Sequence, residues 1–200
     1  IGVEPSITRV TYSELTHKIM QSAKFLLDNG VTKNQFIVLS ATRSSTFITS
    51  YFALHLIGAI AVPVDPQLPH SKLQDIVNQC SSKIIILSRF TKIKNILKVL
   101  LLSSLAENDG DEIDLLNFPQ HNENADLLFT TGTTGIPKGV ILTHQNILAG
   151  ANNINRFIQN TSKDTELIPL PFNHSFGLAR LRCNLLLGAT IVISNGFLLP

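Results

Sequence analysis

The feature that most constrains this chain is the alternation, through its first half, of short unbroken apolar runs with longer runs patterned as helices. Gln35 to Ala41 (Q-F-I-V-L-S-A), Ala61 to Val64 and Lys83 to Ser88 (K-I-I-I-L-S) read as strands. They lack the in-out alternation of a half-solvated strand, so both of their faces must be covered. Between and before them lie helices. In Thr11 to Asn29, Thr11 and Glu14 form a capping box, Leu15, Ile19, Ala23 and Leu26 share a face, and Gly30 supplies the stop. Ser45 to Gly58 and Ser71 to Gln79 are the next two. Crossovers of about ten or more residues bring successive strands in parallel. The expected class is α/β, with largely parallel sheets covered by helices, and 44% hydrophobic against 15% charged residues is ample for the core this needs.

The second half holds a different kind of signal. Thr130 to Gly139 reads T-T-G-T-T-G-I-P-K-G, with four threonines, three glycines and one lysine among ten residues. A polyphosphate needs amides that can approach closely, hydroxyl donors and a cation. Gly132 and Gly135 lack a Cβ, Thr130, Thr131, Thr133 and Thr134 offer hydroxyls, and Lys138 can reach a phosphate oxygen. A plain turn needs one or two such residues, not eight of ten. The P-loop pattern G-x-x-x-x-G-K-S/T fails, because Pro137 stands where its second glycine belongs, and G-x-G-x-x-G fails as well. Ala125 to Thr131 and Gly139 to Leu142 read as strands, and a helix starts only at Thr143, running to about Gln159. The loop is therefore a flap between two strands rather than a Walker-type cradle.

The run from Phe129 to Asn146, F-T-T-G-T-T-G-I-P-K-G-V-I-L-T-H-Q-N, resembles the phosphate-loop motif of the adenylate-forming superfamily. That superfamily contains acyl-CoA synthetases, peptide-synthetase adenylation domains and luciferases. Its motif is written as Tyr or Phe, then T-S-G-T-T-G-x-P-K-G-V, with T-H-x-N after it. Thr131 replaces the usual serine and keeps the hydroxyl. A second stretch, Leu56 to Pro66 (L-I-G-A-I-A-V-P-V-D-P), matches a family segment whose role is mainly structural. Here Asp65 reads as a turn former beside proline, not as a catalytic group. A third, Pro169 to Leu178 (P-L-P-F-N-H-S-F-G-L), follows the strand Glu166 to Leu170 and resembles the P-L-x-H-x-x-G segment of acyl- and aryl-CoA synthetases. The resemblance places His174 at the mouth of the acyl pocket, with Phe172, Phe176 and Gly177 on the neighbouring wall. Taken alone, a histidine among apolar residues is more often a satisfied core group; its position at the C-terminal end of a strand adds to the functional reading.

The remaining stretches are quieter. Thr91 to Leu105 reads as a basic helix, with an acidic loop from Glu107 to Asp114 behind it, a solvated face rather than a docking one. Leu181 to Leu187 reads as a helix and Thr190 to Ser194 as a strand. A net charge of +2 gives no basic field for nucleic acid. No apolar run reaches the roughly 18 residues of a membrane span, and no charged-then-apolar secretory leader is visible within these residues. Cys80 and Cys183, without metal-ligand spacing, read as buried thiols of a reducing compartment, so the expected location is cytoplasmic and the N-x-S/T matches at Asn160 and Asn173 are chance.

The resemblance implies the first part of an AMP-forming acid–thiol ligase, residues 1–200 being an N-terminal part of the large domain of the adenylate-forming fold. Substrates would be ATP with Mg2+, a small carboxylic acid, and CoA or a carrier-protein thiol. Lys138 and His174 would be the catalytic groups; Thr130, Thr131, Gly132, Thr133, Thr134 and Gly135 would join Lys138 on the phosphates. The metal ligands and adenine-binding residues of the family are expected outside this chain. Between Pro169 and Leu181 there is no Asp or Glu to pair with an amino acid's ammonium. A simple carboxylic acid is thus the expected substrate, and the resemblance implies coenzyme A as the usual thiol, with carrier loading, or a non-catalytic binding module, as the alternatives.

Overall fold

In the computed structural model, which describes residues 8–108, 118–130 and 138–194, the first helix α1 (Tyr12–Asp28) starts at the cap that its sequence encodes. The Thr11 hydroxyl accepts the Glu14 N–H at 3.2 Å and the Glu14 carboxylate accepts the Thr11 N–H at 2.7 Å. Strands β1 (Phe36–Ser40), β2 (Ile60–Val64) and β3 (Ile84–Leu87) follow, joined by α2 (Ser45–Ile57) and α3 (His70–Cys80). Helix α2 stops because Gly58 takes φ 80°, and its N–H closes the last turn. After these come β4 (Lys98–Leu101), α4 (Leu102–Ala106), β5 (Asn124–Thr130) and β6 (Lys138–Thr143). The chain then continues through α5 (His144–Ile158), β7 (Thr165–Ile168), α6 (Ser175–Leu187) and β8 (Thr190–Ile193).

One sheet has the order β4-β3-β1-β2-β5-β6, parallel throughout except for β6, which returns antiparallel to β5. Successive strand residues go to opposite faces. Ile37, Leu39, Ile84, Ile86 and Leu128 join the core under α1, α2 and α4, whereas Val38, Ile85, Leu87, Val62 and Leu127 join the core under α3. Both faces are thus covered, as the unbroken apolar runs require. A second, two-stranded parallel sheet pairs β7 with β8. Among the described residues no helix is long and apolar enough to cross a membrane, and Cys80 and Cys183 are buried free thiols.

Two expectations from the sequence are corrected. The helix over Thr91 to Leu105 is replaced by strand β4 and the short α4. The cause is the open edge of β3: β4 pairs with it from Ile84–Lys98 to Leu87–Leu101, which satisfies a row of backbone groups that a helix would have left bare. The last helix begins at Ser175, six residues before the expected Leu181, so His174 sits at a helix start.

Candidate active site

Strands β1, β2, β3 and β5 point the same way, so Ser40, Val64, Leu87 and Thr130 end at one edge of the sheet. That edge is where open α/β sheets bind ligands. The connection between β5 and β6 leaves from it. Thr130 and Lys138 are register partners, the Thr130 hydroxyl donates to the Lys138 carbonyl at 3.3 Å, and both residues are exposed. Strands are found on both sides of 131–137, as expected; Thr131, Gly132, Thr133, Thr134 and Gly135 lie outside the described residues. From Leu127 to Gln159 the chain carries no acidic residue. The donor set at this hairpin is hydroxyl, amide and one ammonium, which suits a polyanion and offers a divalent cation no carboxylate.

The segment after β7, which carries the third motif of the sequence, turns into α6. His174 is the N-cap residue of α6; it is exposed, and its carbonyl accepts the Leu178 N–H at 3.1 Å. Phe176, one residue into the helix, is 64% exposed. Gly177 is buried against the preceding turn, where a Cβ would lie 2.2 Å from the Pro171 carbonyl oxygen. Phe172 has no exposed surface and stacks on Phe47 of α2 with ring centroids 5.4 Å apart. Of the four residues expected along a substrate wall, His174 and Phe176 are presented to solvent, while Phe172 and Gly177 anchor the turn beneath them. A further tie comes from Arg43, just past β1, whose Nη1 donates to the Pro169 carbonyl at 2.5 Å. Asp65 caps its own turn, accepting the Gln67 N–H at 2.8 Å.

Behind the sheet edge lies a buried polar cluster that joins three elements. Asp126 of β5 is fully buried and accepts from the Tyr51 hydroxyl at 2.9 Å and from the Arg182 guanidinium, while its other oxygen is 2.9 Å from His55 Nε2. Arg182 of α6 also donates to the Tyr51 hydroxyl, through Nε at 3.0 Å and Nη2 at 2.6 Å. Burial by itself would raise the Asp126 pKa, but the hydrogen bond and charge of His55 and the charge of Arg182 outweigh it and hold the carboxyl below its ordinary range. For Tyr51 burial wins, and the phenol stays protonated well above its usual range. His144, the first residue of α5, packs edge-on to His55 at 5.2 Å, and burial followed by that neighbour's charge pushes its pKa down to about 4. None of Tyr51, His55, Asp126 or Arg182 stood out as a site residue from the sequence. A signal was present, since Asp126 and Arg182 are opposite charges placed inside an apolar strand and an apolar helix.

The family model described as AMP-binding enzyme matches residues 3–200. The chain belongs to the AMP-binding enzyme family. Its relatives there include the hybrid PKS-NRPS synthetase LUC5 of a Fusarium species, 30% identical over 199 residues, 94% of this chain and 5% of that protein. Gramicidin S synthase 2 of Brevibacillus brevis is 30% identical over 187 residues, 92% of this chain and 4% of that protein. Among solved structures, o-succinylbenzoate coenzyme A synthetase (MenE) of Bacillus subtilis in complex with AMP superposes with a TM-score of 0.88 at 26% identity, over 96% of this chain and 51% of that one. The chain therefore spans about half of that AMP-binding structure and a small part of the two large synthetases, and its α/β fold is that of the N-terminal subdomain of adenylate-forming enzymes.

Proposed function

We propose that the protein carrying this chain activates a carboxylic acid as its acyl adenylate and passes the acyl group to a thiol, coenzyme A being the acceptor. The observation that carries this reading is the exposed Thr130–Lys138 hairpin base at the C-terminal edge of the sheet, under a loop of glycines and threonines. The carboxylate attacks the α-phosphorus of ATP, and negative charge accumulates on the departing pyrophosphate. Donors fixed at that end stabilise the charge where it develops. Lys138 alone brings a full positive charge among the residues of the loop, so it carries the largest share. The hydroxyls of Thr130, Thr131, Thr133 and Thr134 and the amides at Gly132 and Gly135 complete the cradle. Mg2+, when bound with the nucleotide, would supply further neutralisation of the phosphates. His174 and Phe176, at the start of α6, would flank the acid.

The stretch from Pro169 to Leu181 carries no Asp or Glu, which suits an acid without an ammonium group; coenzyme A as acceptor follows the resemblance of that stretch to acyl- and aryl-CoA synthetases. One observation favours a second reading: the LUC5 and gramicidin S relatives are peptide-synthetase proteins, so loading of a carrier-protein thiol is the alternative.

The test is carboxylate-dependent ATP–pyrophosphate exchange by the protein carrying this chain, over short, long, aromatic and amino acids, beside Lys138→Ala. Exchange with one acid class, falling on the order of a hundredfold in the variant, is the expected result. Transfer of the product to coenzyme A, compared with transfer to a carrier thiol, then separates the two readings. A folded protein that exchanges with no acid overturns both in favour of a binding module.

A further inference from the structure

We infer that the buried pair Asp126 and Arg182, bridged by Tyr51, is a positioning device that sets the phosphate-loop hairpin against the start of α6. The inference rests on the adenylation reading above. Asp126 lies four residues before Thr130 in β5, roughly 13 Å along a strand. Arg182 lies eight residues after His174 in α6, about 12 Å along a helix. The pair therefore links the two elements whose ends carry the proposed phosphate and acid sites. Asp126 is also the residue at which β5 registers with β2, opposite Ala61, and it sits at the irregularity where β5 departs from regular pairing with β6.

The contacts are directional in a way the surrounding core is not. Leu178 and Leu181 of α6 and Phe47 and Leu54 of α2 share one apolar cluster, and such contacts tolerate a shift or a small rotation with little change in area. A carboxylate that accepts from Tyr51, His55 and Arg182, with a guanidinium that donates to both Asp126 and Tyr51, has one good arrangement. Desolvation makes such a pair a weak source of stability compared with apolar residues of the same volume. Its value lies in fixing register. Arg43 bonded to the Pro169 carbonyl holds the other end of the same turn, so the α6 start is tied at two points to elements that end at the binding edge. Asp126, Arg182 and Tyr51 touch no reacting atom and act through the two ends they hold.

The experiment compares the protein carrying this chain with the double variant Asp126→Leu, Arg182→Met, which replaces both members of the pair by apolar groups, so that neither is left buried without the other. Amide hydrogen exchange is followed in residues 127–143 and 170–178, with α1 as the internal reference, and kcat and KM for ATP are followed in pyrophosphate exchange. The expected result is faster amide exchange in both segments together and unchanged exchange in α1. With it, kcat falls about tenfold to a hundredfold and KM for ATP rises. Should the double variant fail to fold, Tyr51→Phe carries the same prediction at smaller amplitude. Wild-type amide exchange in either segment, or unchanged kinetics beside loosened segments, overturns the inference. If the parent protein shows no pyrophosphate exchange at all, the adenylation reading falls, while the paired amide-exchange response still decides whether Asp126 and Arg182 tie the two elements.

Discussion

His144 stands directly after the hairpin, half-buried, its ring edge-on to His55 and its Nε2 without a hydrogen-bond partner among the described residues. Its pKa in the fold, about 4, lies below the ordinary 6.5. Between those two values the unfolded chain binds a proton that the folded chain refuses. Stability from this residue is therefore full above about pH 6.5 and is lost as pH falls toward about 4, with a slope of at most about 1.4 kcal/mol per pH unit. The groups around it are His55, Asp126, Glu123 and His121. Asp126, held low, keeps its contribution until pH drops through its own depressed pKa, so its loss comes at lower pH. Urea midpoints at about pH 7 and about pH 5 should fall with pH in the parent and fall less in His144→Gln. An equal fall in both would remove His144 from the account. At this scale the sequence was legible where a structure is written in consecutive residues, as in the Thr11–Glu14 capping box that starts α1. It was not legible at Asp126, whose partners Tyr51, His55 and Arg182 are set by how α2 and α6 pack, a relation no local pattern records.

Among the elements, α6 shows why a helix expected from Leu181 starts six residues earlier, at Ser175. Gly177 lies one turn into it, and a Cβ there would meet the Pro171 carbonyl oxygen at 2.2 Å, the Pro171 carbonyl carbon at 3.0 Å and the Leu170 carbonyl oxygen at 3.2 Å. All three are backbone atoms and cannot swing aside. Gly177→Ala should therefore cost about 1–3 kcal/mol and shift the His174 cap, lowering thermal stability and raising KM for the acid together. Gly150 in α5 is the contrasting case, with nothing within 4 Å of its added Cβ. Gly150→Ala should raise stability by up to about 1 kcal/mol through helix propensity. Calorimetric melting of the two variants checks both, and a Gly177→Ala protein with parental Tm contradicts the packing. The small-residue start of α6 hid it from a sequence reading, because glycine weakens helix patterns for reasons of propensity while here it is required for close approach. Strand β4 was hidden differently. Its apolar spacing fits a helix, and only the free edge of β3, a tertiary fact, makes it a strand.

On the scale of the whole molecule, strand and helix alternation was the most legible property, since covering both faces of a parallel sheet leaves its imprint on every strand. The six-stranded sheet and its two apolar clusters follow from it. On the adenylation reading proposed above, this arrangement would supply one side of a reaction centre: hydroxyls and an ammonium at the hairpin, a histidine and a phenylalanine at the start of α6. Adenylation asks for more than this. Rate comes from interactions that strengthen in the transition state, and those act only if the carboxylate and the α-phosphorus are held within reacting distance. That requires grips on adenine, ribose and a divalent cation. Among the described residues no group of three His, Cys, Asp or Glu side chains is placed to hold a metal ion, and the chain matches 51% of the AMP-bound synthetase. Holding pyrophosphate without aligning the acid lowers no barrier. If the proposed adenylation holds, residues 1–200 prepared by themselves should accordingly form no acyl adenylate above background with any acid that the protein carrying this chain is found to activate. The measurement is label incorporation from pyrophosphate into ATP by each protein side by side, and adenylate formation by the 200-residue chain alone would place the complete alignment machinery within this sheet.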